Sequence, residues 1–222
     1  MTDVTLTKKD FDAEGNYIGS IDFMKKCEGS VNIASGLGTV RFARLWVTGS
    51  IVANRCTGIS AGEGISAGEG ISAGWGISAG SGISAGTGIS TGSGISAGSG
   101  ISAGTGISAG EGISAGWGIS AGTGISAGWG ISAGTGISAG EGISAGGTLK
   151  VAYRVFAGVA TWLKEPTPSQ MEIRCAKFEG GVIAYGNLVL TGDAEKACAH
   201  TQTGRFCSEC GESLWNEARK HD

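Results

Sequence analysis

The chain has 222 residues, 44 of them glycine, and 16 Lys and Arg against 19 Asp and Glu leave a formal charge of −3. So small a net charge excludes any argument from charge for or against nucleic-acid binding, and 31 glycines between Gly58 and Gly147 exclude an ordinary globular core over that stretch. No run of 18 apolar residues and no apolar segment after Met1 reads as a membrane span or a secretory leader. The expectation is a soluble, cytoplasmic chain whose six cysteines are free thiols or metal ligands rather than disulfides.

In chain order, residues 1–28 read as an N-terminal cap and 29–165 as a β-solenoid, with regular hexads over 59–147. Ahead of the array, Val31–Ile33, 40–42, Leu45–Val47 and Ile51–Ala53 alternate as strands with larger side chains, and 149–155 continues in the same way after it. From Ile59 isoleucine returns at every sixth residue through Ile143, which makes fifteen repeats; fourteen read Ile-Ser-Ala-Gly-Xaa-Gly, with Thr91 replacing one alanine, and the last ends Gly146-Gly147-Thr148.

Strand alternation places Ile and Ala of each copy on one face and the Ser between them on the other, so Ile59, Ala61 and their equivalents face inward. The variable position holds Glu63, Glu69, Trp75, Ser81, Thr87, Ser93, Ser99, Thr105, Glu111, Trp117, Thr123, Trp129, Thr135 and Glu141. A position that accepts charged, aromatic and hydroxyl side chains alike lies outside. Gly-Xaa-Gly is then a corner, its glycines expected to supply the positive φ of a sharp turn.

Polyproline II packing would need glycine at every third residue, whereas the spacings here alternate four and two. Two glycines in six oppose a helix. The unvarying isoleucine opposes a flexible Gly/Ser linker. The fold class is therefore all-β, a single-stranded β-solenoid (β-helix) of hexapeptide repeats. Three hexads can close a triangular coil of 18 residues and two a flattened coil of 12; we prefer 18, since hexads are the signature of triangular solenoids. That closure stacks Glu69, Thr87, Thr105, Thr123 and Glu141 in one column and puts Trp75 and Trp129 in another.

Pro166 and Pro168 mark a boundary, after which 166–197 reads as C-terminal strands, 171–178 and 182–190, that form a cap. The remainder, 198–222, is a Cys/His tail with a zinc-knuckle-like pattern, Cys198-Ala-His200 and Cys207-Ser-Glu-Cys210-Gly211. A Cys-x-x-Cys-Gly turn presents two thiolates to one ion, and the Cys-x-His pair completes a tetrahedral set for a structural zinc; free thiols and a redox pair are the competing readings. Phe206-Cys207-x-x-Cys210-Gly211 resembles half of a zinc ribbon, although the first pair departs from that family in having Cys-x-His. Cys27, Cys56 and Cys175 stand outside any motif and are expected as buried thiols.

Catalysis is not expected. Hexad solenoids include acyltransferases, which use a histidine base, and the array contains no histidine. Trp75, Trp117 and Trp129 are the candidate binding residues, because exposed aromatics favour contacts with partners or sugars; the competing reading lays them over neighbouring Gly and Ser columns. An ice-binding surface would need a flat threonine array and a nucleic-acid mimic would need dense acid, and the array has neither.

The Gly-Ile-Ser-Ala-Gly-Xaa array, with Glu165-Pro-Thr-Pro168 and 181–190 after it, resembles phage and prophage accessory proteins that carry Gly-Ile-Xaa-Ala-Gly hexads. That resemblance implies a protein made in the cytoplasm of an infected bacterium and transfers no activity. The expected role is a non-enzymatic scaffold or binding protein that engages a host or phage macromolecule, most readily a protein. A self-assembling filament or virion-associated component is the alternative.

Overall fold

The computed structural model describes residues 3–53, 57–160, 162 and 164–191. Among them the chain is a stack of coils with three faces, built from parallel strands and two short 3-10 turns, and no α-helix occurs. No helix there is long and apolar enough to cross a membrane.

Each hexad contributes one three-residue strand, Ile-Ser-Ala, and successive hexads occupy successive faces. On the first face Ile71–Ala73, Ile89–Thr91, Ile107–Ala109, Ile125–Ala127 and Ile143–Ala145 pair in that order. The second face begins with Gly38–Phe42 and Thr57–Ala61 and continues through Ile77–Ala79 to Ile131–Ala133. The third runs from Leu45–Val47 through Ile65–Ala67 to Ile137–Ala139. Every pairing within the array is in perfect register, Ile59 beside Ile77 and Ile83 beside Ile101, a step of 18 residues. Triangular closure of three hexads per coil is thus the observed one.

Register dictates the core. The array isoleucines are 1–2 % exposed and its alanines at most 5 %, so three columns of isoleucine meet on the axis with alanine filling between them. Thr91 is buried in an alanine slot, and its hydroxyl donates to the Ser93 carbonyl at 2.9 Å. Burial of that polar group is thereby satisfied.

The glycines correct the expectation from sequence. None of the array glycines has positive φ; that conformation is confined to Gly15, Gly29, Gly36, Gly38, Gly158, Gly180 and Gly186 in the flanking coils. What the corners require instead is space. A Cβ on Gly98 would lie 2.1 Å from the Gly80 carbonyl oxygen one coil away, and one on Gly100 would lie 3.2 Å from the Gly118 oxygen. This close approach lets the hydrogen-bond ladder continue around the bend: Gly80 N–H donates to the Ala61 carbonyl and Ser81 N–H to the Glu63 carbonyl, both at 3.0 Å.

The flanks continue the same coil with bulkier interiors. Phe42 takes the alanine position opposite Ala61 and, with Phe11, Tyr17 and Phe23, forms a cluster of rings 5.1–5.9 Å apart that closes the N-terminal end. After the array, Thr148–Ala157 is one ten-residue strand spanning the second and third faces, because its corner, Ala152-Tyr153-Arg154, lacks glycine. The prolines mark a local excursion, a 3-10 turn at Pro168–Met171. Stacking then resumes: Glu172–Cys175 on the first face, Lys177–Tyr185 along both halves of Thr148–Ala157, and Asn187–Leu190 on the first face again. Of the strands expected as a cap in 166–197, Glu172–Cys175 and Lys177–Tyr185 thus add one more coil to the stack and Asn187–Leu190 begins the next.

Candidate functional site

With the core filled by columns of Ile and Ala, the outside of the array consists of the serine of each strand and the variable corner residue. Corner backbone bonds give the columns directly. At the corner between the first and second faces the column reads Trp75, Ser93, Glu111, Trp129, each N–H bonded to the carbonyl of the one before. Between the second and third faces it reads Glu63, Ser81, Ser99, Trp117, Thr135, Tyr153. At the remaining corner it reads Glu69, Thr87, Thr105, Thr123, Glu141, the column expected for an 18-residue coil.

The three tryptophans singled out in the sequence are all exposed, Trp75 at 46 %, Trp117 at 68 % and Trp129 at 71 %. They do not form one patch. Trp75 and Trp129 share a corner, three coils apart, or about 14 Å at the usual strand spacing, whereas Trp117 stands on the next corner. Both corners border the second face, so this face has Trp75 and Trp129 along one edge and Trp117 along the other.

Tyr153, 67 % exposed, joins Trp117 on that second edge and was missed from sequence. The signal was available, since Tyr153 lies 18 residues after Thr135, although the glycines that mark a corner have gone. Trp46 differs from these rings in being flanked by cations, the Arg44 guanidinium 5.3 Å and the Lys26 ammonium 6.0 Å from its centroid.

Between each corner column and the adjacent serine column the surface drops to the Gly-Ile backbone, because glycine has no side chain there and isoleucine points inward. The result is a shallow, widely open groove parallel to the axis on every face. The first, about 860 Å³, is bordered by Thr87, Thr105 and Thr123. The groove on the third face, about 770 Å³, has Arg44, Glu63 and Arg154 among its lining residues. The groove on the second face, about 840 Å³, is bordered by Trp75 and Trp129 on one side and by Ser78, Ser96, Ser114 and Ser132 on the other. Thr39 and Lys150 lie at its ends.

Titratable groups with displaced pKa values lie away from these grooves or at their ends. Burial pushes the Cys175 thiol up to about 11, as expected of an inert core cysteine. The Asn16 side chain and backbone hold the Asp12 carboxyl below its ordinary value in the N-terminal turn. Cys27 is only half-buried, which corrects its expected place in the core, while Cys56 lies outside the described residues. The proposed zinc ligands Cys198, His200, Cys207 and Cys210 also lie outside them. Among the described residues no three His, Cys, Asp or Glu side chains gather as a metal site would require.

No protein-family model, curated protein or solved structure matches this chain.

Proposed function

We propose that this chain is a non-enzymatic binding protein that engages an elongated macromolecule along the side of its solenoid. The observation that carries this reading is the exposed aromatic pair Trp75 and Trp129 on a rigid corner, overlooking a groove that crosses successive coils. The repeat needs no bulk there, because serine and threonine occupy equivalent corners throughout the array. Large rings held in water with no structural requirement are the usual anchors of binding surfaces. Absence of histidine from the array and the Ser-rich lining support the non-enzymatic part of the proposal.

The hexad resemblance supports a partner among the macromolecules of an infected bacterium, host or phage, met in its cytoplasm. A structural zinc held by Cys198, His200, Cys207 and Cys210 belongs to the same proposal. Affinity capture of the full chain from bacterial lysate, analysed for macromolecules and for metal, tests both parts. The expected eluate contains one stoichiometric partner and one zinc per chain, with the zinc lost from a Cys207→Ser, Cys210→Ser variant. An eluate of this chain alone, together with fibres in negative-stain images at low micromolar concentration, would replace the binding reading with the filament one.

A further inference from the structure

We propose that the groove on the second face is a binding site for an uncharged carbohydrate polymer lying parallel to the solenoid axis. This deepens the binding reading above and rests on it. The first ground is the pairing of chemistries across one groove. Trp75 and Trp129 form its outer wall and offer flat apolar faces, while the hydroxyls of Ser78, Ser96, Ser114 and Ser132 repeat along its inner wall at the strand spacing. A sugar ring carries the matching pair of surfaces, an apolar C–H face and a rim of hydroxyls, each hydroxyl both donor and acceptor as serine is.

The second ground is charge. Among the described residues Lys150, at one end, is the only charged residue lining the groove, and Glu111, the one acid of the corner column Trp75, Ser93, Glu111, Trp129, is not part of that lining. A nucleic-acid strand would require a positively charged track beside its stacking platforms, and a polyanionic glycan would require the same. An uncharged ligand has no such requirement. The third ground is length: the tryptophans stand three coils apart, so a ligand touching both spans about 14 Å along the axis, which suits a polymer or oligomer rather than a monosaccharide. Ser78, Ser96 and Ser114 are exposed and Ser132 is half-buried, so their hydroxyls are open to such a ligand.

The test is native-gel retardation of the full chain with laminarin, mannan, glycogen or hexa-N-acetylchitohexaose as probes, alongside oligo-dT and heparin. Retardation by at least one of the four uncharged probes is expected, with none by the two polyanions. Trp75→Thr and Trp129→Thr are suitable variants, because the equivalent position of the other two corners carries threonine at Thr87, Thr105, Thr123 and Thr135 and the fold should persist, as circular dichroism would check. Each should weaken binding about tenfold or more, as loss of an aromatic anchor does, while Trp117→Thr should change it by less than about twofold, since Trp117 does not line this groove. Failure of all four probes overturns the proposal, as does binding that survives in the Trp75→Thr, Trp129→Thr double variant. Retardation by oligo-dT or heparin instead also overturns it. A protein partner captured from lysate through Trp75 and Trp129, with the four glycans unbound, would overturn the carbohydrate and leave the binding function standing.

Discussion

The array and the N-terminal end are the same coil made in opposite ways. Over 59–145 the interior is one pair of side chains repeated, isoleucine upon isoleucine with alanine between, so a central coil sees near-copies of itself above and below. In the first coils the interior is varied, and Phe11, Tyr17, Phe23 and Phe42 interlock as rings of different orientation. Repetition provides a column that can extend indefinitely; variation closes it, because an irregular ring cluster offers no repeating template to a further coil. Stability in such a molecule is close to a sum of coil and interface contributions, and the caps determine where unravelling begins.

Phe42→Ala tests that division most severely. Phe42 is 6 % exposed and touches all three other rings, so truncation should cost about 3–5 kcal/mol. Hydrogen exchange should show the loss of protection concentrated in the first coils, with the central array, for example Ile101, still protected. Uniform loss along the chain would mean that the cap does not act as a separate closure.

The two kinds of glycine sharpen the comparison. Gly98→Ala would place a methyl 2.1 Å from the Gly80 oxygen, and the coils must separate or shift to admit it. We expect a cost of about 3 kcal/mol, at the upper end of overpacking, read as a lower urea midpoint. Gly36→Ala in the flank meets nothing within 4 Å and pays only for its φ of +75°, about 1 kcal/mol. Equal costs would mean that conformation, not space, selects glycine at the corners.

Much of this was legible in the sequence. The period of six, the inward Ile and Ala, the outward variable residue and the stacking of Glu69 over Thr87 all follow from alternation and from a closure of three hexads. The reason for the glycines was not, since the same Gly-Xaa-Gly spelling serves a positive-φ turn and a crowded one, and only the distance between successive coils tells them apart. Tyr153 escaped because its corner lacks the glycines that identify the others, and the grooves escaped because they are created by absent side chains. The last coil was hidden by Pro166 and Pro168, which punctuate an excursion rather than end the stack.

The C-terminal coil differs from the array in burying a titratable group. Cys175 is fully buried and its thiol pKa stands at about 11 against an ordinary 9.0. Between those values the unfolded chain loses a proton that the folded chain keeps, so stability falls as pH rises through 9 and the loss is complete near 11. The expected decline is about 2 kcal/mol. Urea titrations at pH 8 and pH 11 should show it in wild type and show it reduced by that amount in Cys175→Ala, whose own lower baseline is set by the lost packing. An identical decline in both proteins would assign the pH dependence to other groups.

The smallest effect is expected where the array departs from itself. Thr91 pairs with Ala73 and Ala109, and its hydroxyl is satisfied by the Ser93 carbonyl. Thr91→Ala removes that bond and a buried methyl, but it leaves no orphaned polar atom, because the Ser93 carbonyl still accepts the Glu111 N–H at 3.2 Å. The new side chain is also the one that every other copy carries at this position. The losses are therefore offset in part by the entropy of a side chain no longer held in one rotamer, and we expect a change of under about 1 kcal/mol in the urea midpoint. A cost above about 2 kcal/mol would show that the coils are not interchangeable, and that the first face depends on one threonine in its middle.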